Sequence, residues 1–192
     1  MKRKAVIITD DSTFDKSSKG QAFPAQLMFS GTFREVKIFS EILGEILPTD
    51  LLIISRKYGL IDKNQIIVEY PNKNPNKIQT AKEIHELNEK LSFVETMSDR
   101  VKDSYFIILF LPGHYLSYLM YMGWLSEIMS DHQLIIVTGN SLKSNLLNSI
   151  NAMFLRKKGV ARIGLKNQEL IINAIKLYSI EQSISLHQKI TL

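Results

Sequence analysis

The chain has 192 residues, 45% of them hydrophobic and 22% charged, a balance that suits one soluble domain with a full core. It has no cysteine, which excludes disulfide scaffolds and thiolate-held zinc or iron–sulfur centres. The net charge of +5 is concentrated: residues 141–192 carry eight cations against two anions, whereas the remainder, 16 against 17, is close to neutral.

In chain order, MKRKAVIITDD opens with cations and an apolar run too short for the core of a signal peptide. No apolar run reaches the roughly 18 residues of a membrane span, so the expected location is cytoplasmic. Lys4–Thr9 reads as a buried strand and Asp10–Pro24 as a polar loop. Gly31–Leu47 carries apolar residues at helical spacing until Pro48. Asp50–Ser55 is a second strand, and Gln65–Tyr70 a short extended piece before the Pro71–Pro75 turns. Asn76–Arg100 reads as one helix, Ser104–Leu111 as the clearest strand, and Gly113–Ser130 as an apolar helix with Trp124 in the core. His132–Thr138 is another strand. A helix is expected over Ser141–Leu155, a basic loop or hairpin over Arg156–Gly164 and a last helix over Asn167–Tyr178. Apolar strands alternating with helices indicate a three-layer α/β sandwich around a mainly parallel sheet. The expected organisation is a core over residues 1–155 with a basic helical extension, 156–192, packed on it.

In open parallel sheets, ligands bind beyond the carboxyl ends of the strands. The unusual polar residues fall there. Asp10 and Asp11 follow the first strand, as a general base or a carboxylate beside a sugar cation, or as ordinary turn caps. Paired carboxylates also suit Mg²⁺, although no metal and no cofactor is expected. Ser55, Arg56, Lys57, Tyr58 and Gly59 follow the second strand. Lys57 and Arg56 suit phosphate, or are exposed cations with stems on the surface. Tyr58 and Tyr115 suit stacking on a base, or pack as plugs beneath the loops. His114, beside Gly113 at a predicted helix start, suits leaving-group polarisation or anion binding, or is simply exposed. Ser141, Lys143 and Ser144 lack a full phosphate-loop spacing and read as a helix cap. His85, His132 and His187 show no metal-ligand spacing. Arg156, Lys157, Lys158, Arg162 and Lys166 form a basic group suited to a phosphate backbone, or a solvated surface.

Several segments together carry a family resemblance. ISRKYGLID followed by VEYPNK resembles the ILSAKYGLL … I.PY pattern of small prokaryotic and phage proteins related to the peroxide stress protein YaaA. AQLMFSGTF and FLPGHYLSYL resemble that family's A.DLY.S..F and FLAG..Y...L, in the same order over residues 4–128. The match covers Leu27, Phe29, Ser30, Phe33, Ser55, Lys57, Tyr58, Gly59, Tyr70, Pro71, Gly113 and Tyr115. More distantly, the chain resembles the uracil-DNA-glycosylase-like domain of archaeosine synthases and of tRNA-guanine transglycosylase relatives. The resemblance implies an α/β sandwich with a nucleobase-sized cleft and assigns Ser30 to ligand binding. Two positions depart from the family. Its S-C-x-x-K turn is replaced by Thr9, Asp10, Asp11 and Ser12, with Lys16 and Lys19 displaced, and the aspartate of its PYD is Asn72.

The function expected is therefore binding of a nucleobase or nucleic acid, DNA or RNA, with N-glycosidic or base-modifying chemistry as its catalytic form. The alternative is a non-catalytic nucleic-acid-binding stress-response module or a binder of small nucleotides.

Overall fold

A computed structural model describes residues 4–11, 20–70, 80–139, 152–157 and 163–190, with side chains of the final helix described as far as Tyr178. Among these residues, six strands form one sheet in the order β4-β3-β1-β6-β7-β8. They are β1 (Ala5–Asp10), β3 (Thr49–Ser55), β4 (Gly59–Asp62), β6 (Phe106–Phe110), β7 (Gln133–Thr138) and β8 (Met153–Arg156). All neighbours are parallel except β3 and β4, which form a hairpin. A separate antiparallel pair joins β2 (Ala22–Pro24) to β5 (Ile66–Val68).

β1 lies between β3 and β6, and all six of its residues are buried. A strand covered on both faces must be apolar on both, hence AVII rather than an alternating pattern. Successive side chains enter opposite cores. Val6 and Ile8 join one core with Leu52, Ile54, Ile107 and Leu109. Ala5 and Ile7 join the other with Leu51, Ile53 and Ile108. The first core is covered by α3 (Ala81–Leu91), α4 (Phe93–Val101), α5 (Gly113–Tyr121) and α6 (Trp124–Ile128). The second is covered by α1 (Ala25–Met28), α2 (Phe33–Gly44) and α7 (Leu165–Ile190). Among the described residues, no helix is long and apolar enough to cross a membrane.

Several predicted elements differ. The polar loop of residues 10–24 ends in a strand, β2, because β5 offers it an antiparallel partner. The helix expected over Asn76–Arg100 is two helices. Thr80 and Glu83 cap α3 reciprocally, and Ser92 then takes a left-handed conformation at φ 44°. Buried Asn88 holds the break, accepting the Val94 amide on its side-chain oxygen at 3.0 Å and the Ser92 amide on its carbonyl at 2.7 Å. The helix expected over Gly113–Ser130 divides at Gly123, φ 76°, a conformation glycine adopts without a Cβ penalty. Residues 140–151, with Ser141, Lys143 and Ser144, lie outside the described residues, but Met153–Arg156 is a strand, not the end of a helix. Short apolar runs such as MFL suit either state, and here the free edge of β7 recruits them.

The last helix begins two residues earlier than expected and extends to Ile190. Ile163, Ile171 and Ile175 join the second core, and β8 extends the sheet.

Candidate functional site

Taken in chain order, the parallel strands run from β1 outward to β3, then return to the other side of β1 and continue through β6, β7 and β8. The direction of winding reverses between β1 and β6. Adjacent crossovers leave that point on opposite faces, so a crevice opens at the carboxyl ends of the two strands. A cavity of about 210 Å³ lies there. Asp10 ends β1, Leu111 and Pro112 follow β6, Gly139 follows β7, Lys157 follows β8, and Thr32 precedes α2. These residues come from five separate parts of the chain.

The two adjacent aspartates have different surroundings. Asp10 lines the cavity. Asp11 turns toward β3 and is 2% exposed. Its Oδ2 accepts the Arg56 amide at 3.0 Å and the Tyr70 hydroxyl, and its Oδ1 lies 3.2 Å from Arg56 Nε as an ion pair. Burial pushes the Asp11 carboxyl above the ordinary value. The bonds from Arg56 and Tyr70 and the Arg56 charge oppose this, and the charge of Asp10 adds to it. Burial and the Asp11 charge push Tyr70 well above the ordinary phenol value, so it remains a donor.

The SRKYG segment is the other half of this network. Ser55 Oγ accepts the amides of Lys57 at 3.3 Å and Tyr58 at 3.2 Å, and lies 2.9 Å from the Tyr70 hydroxyl. Since Tyr70 gives its proton to Asp11, Ser55 donates to Tyr70. The hydrogen bonds thus run in one direction, from the turn amides through Ser55 and Tyr70 to Asp11. Ser55 pairs with Gly59 across the β3–β4 hairpin, and Gly59 has φ 74°. A Cβ there would meet the Leu91 Cβ and carbonyl oxygen, both at 3.3 Å. The glycine is required by both the turn and the approach of α3.

The remaining candidates divide in position. Arg56 is committed to Asp11, and Lys57 is exposed with Nζ 4.9 Å from the centre of the Tyr58 ring. The Tyr58 hydroxyl donates to the Val68 carbonyl at 3.1 Å and accepts the Val68 amide at 3.3 Å, tying the turn to β5. Tyr115 is 1% exposed, with its ring centre 6.3 Å from that of Phe93. At that exposure the ring has no face open to a ligand. His114 is half-buried at the start of α5, and burial first, then the Arg56 charge, lowers its pKa below the ordinary 6.5. Gly113 opens α5 beside Pro112 of the cavity wall. Ser30 sits in the turn before α2, where its carbonyl accepts the Phe33 amide, and its neighbour Thr32 reaches the cavity. Thr32 had no sequence signal beyond its place before a helix. Arg156 is exposed at the end of β8, and its carbonyl accepts from Asn167 Nδ2 at 3.2 Å. That bond brings the start of α7, with exposed Lys166, to the same edge. Lys158 and Arg162 lie outside the described residues. Among the described residues, no group of three or more His, Asp or Glu is placed to hold a metal ion.

Fold and site together define an α/β protein with a doubly wound, mostly parallel sheet and a small crevice at its switch point, lined by Asp10, Thr32 and Lys157 together with apolar Phe110 and Val137. Compared with protein-family models, curated proteins and solved structures, the chain matches none.

Proposed function

We propose that this protein binds a nucleobase or nucleotide in the crevice between β1 and β6, with nucleic acid held along the basic edge formed by β8 and the start of α7. The observation that carries this reading is the pairing of Asp10 and Lys157 on one cavity. An ionised carboxylate accepts hydrogen bonds only, which suits the amino and ring N–H groups of a base. A lysine supplies a compact positive charge for phosphate. The cavity volume, about 210 Å³, is below the roughly 300–1,000 Å³ common for drug-sized ligands, so it suits one ring system with its phosphate outside. Arg156 and Lys166 extend the positive charge along the same edge. The sequence resemblance to YaaA-related proteins and to uracil-DNA-glycosylase-like domains supports the same ligand class.

Of the two aspartates, Asp10 is the one placed to act on a bound ligand, because it lines the cavity, whereas Asp11 lies toward Arg56 and Tyr70. The catalytic form of the proposal is therefore N-glycosidic chemistry with Asp10 as the carboxylate near the sugar. The commitment of Asp11, with the loss of the family's cysteine and lysine from this turn, favours the second reading, binding without catalysis.

The test is titration of mononucleotides and short DNA and RNA oligonucleotides, at two salt concentrations, into the wild type, Asp10→Asn and Lys157→Ala. Weaker binding by both variants is expected, with a smaller salt dependence for Lys157→Ala. Unchanged affinity in both variants would remove the assignment. Free base accumulating with the wild type but not with Asp10→Asn selects the catalytic form.

A further inference from the structure

A second hollow, of about 330 Å³, lies at the opposite edge of the sheet. It arises from a stagger in strand register. Gln133 of β7 pairs with Phe106 of β6, but the first residue of β8, Met153, pairs with Ile135. β8 therefore starts two residues late and, among the described residues, leaves the beginning of β7 without a strand on that side. α7 crosses the gap with a small residue, Ala174, where a larger one would fill it. The hollow takes Gln133, Leu134 and Ile135 from the first half of β7, whereas the Asp10 crevice takes Val137 from its second half and Gly139 beyond it.

Its lining has a definite chemistry. Phe106 and Tyr178 meet edge to face with ring centres 6.2 Å apart, and Met129 and Met153 supply flexible, polarisable thioethers. His132 and Gln133 add polar side chains. The His132 Nδ1 lies 2.7 Å from the carbonyl oxygen of Ser104. A carbonyl only accepts, so Nδ1 carries the hydrogen and Nε2 of the neutral ring is an acceptor. The wall thus combines aromatic and thioether groups with polar ones, among them a ring nitrogen whose tautomer is held by the backbone.

We propose that this hollow is a binding site for a small, flat aromatic molecule that carries one hydrogen-bond donor, a phenol or indole in chemical class. Its body lies against Phe106, Met129 and Met153 and its donor on His132 Nε2. A ligand without a donor forgoes the hydrogen bond to that nitrogen, which opposes binding. The site is independent of the crevice at the carboxyl edge.

The experiment uses the full chain with ¹³C-labelled methionine methyls, at about pH 8. Of the seven methionines, Met129 and Met153 line the hollow and the others serve as internal controls. Phenol is expected to give saturable shifts confined to those two methyls. Anisole, the same ring with the donor methylated, is expected to bind about tenfold more weakly, the upper weight of one hydrogen bond. Ala174→Leu, which fills the hollow, is expected to abolish the phenol shifts while the remaining methionine signals keep their positions. Equal affinity for phenol and anisole in the wild type would overturn the proposal whether or not the variant folds. So would phenol shifts that spread over all the methionines, or that persist in folded Ala174→Leu.

Discussion

At the scale of single residues, Asp11 is the buried charge on which the strand-end turn converges. Removing it leaves Arg56 and Tyr70 facing an empty position. Breaking a buried ion pair from one side typically costs about 3–5 kcal/mol. Asp11→Ala is therefore expected to lower unfolding free energy by about 3 kcal/mol or more, measured by urea denaturation, and Tyr70→Phe by about 1–2 kcal/mol. Equal, negligible losses in both variants would show that the network contributes little. His114 makes a separate, pH-dependent contribution. Its pKa in the folded state is below the ordinary 6.5, so the unfolded chain takes up the proton first as pH falls. Stability associated with this residue is complete above about pH 7 and declines through the window below 6.5. Asp11, with a raised pKa, acts with the opposite sign at more acid pH, and its effect cancels in a comparison. His114→Asn should therefore lose less melting temperature than the wild type between about pH 7 and 5. Parallel curves for the two proteins would refute this.

At the scale of elements, two backbone positions make opposite predictions. Gly59 combines a positive φ with a close approach to Leu91, so Gly59→Ala is expected to destabilise by about 1–2 kcal/mol. Ser92 has a positive φ with a Cβ and is exposed. Ser92→Gly should therefore stabilise, by about 0.5–1 kcal/mol. Thermal unfolding of the two variants checks both signs. The helix break at Ser92 also shows the limit of periodicity as a signal. Ile84, Leu87, Leu91 and Val94 keep a plausible stripe across the break, and the interruption depends on Asn88 bonding to Val94, a tertiary detail with no mark in the spacing.

At the scale of the whole molecule, cooperativity should centre on β1. It is paired on both sides and buried on both faces, so its amides open only with the sheet as a whole. Hydrogen exchange is expected to be slowest in β1, β3 and β6, and faster in the edge strands β4 and β8. Exchange of β1 as fast as that of β8 would contradict a single cooperative sheet. The aromatic Phe39, wholly buried between α2 and the sheet against Phe110, makes the matching mutational test. Phe39→Ala should cost about 3–5 kcal/mol.

The alternation of apolar strands with helices, and the gathering of polar turns at the strand ends, were determined by the sequence alone, because they depend on local hydrophobic runs and turn residues. Burial on both faces demands such runs, and Gly59 and Pro48 mark where they stop. Tertiary structure decided what local pattern does not contain. It placed Asp10 on the crevice and Asp11 in a sealed network, although they are adjacent and chemically identical. It buried Tyr115, left Lys57 outside the cavity, and brought Lys157 from 147 residues away to line the same cavity as Asp10. The reason is that a side chain's role at a sheet edge depends on which neighbours arrive there, and the order in which strands return to a sheet is set by global packing.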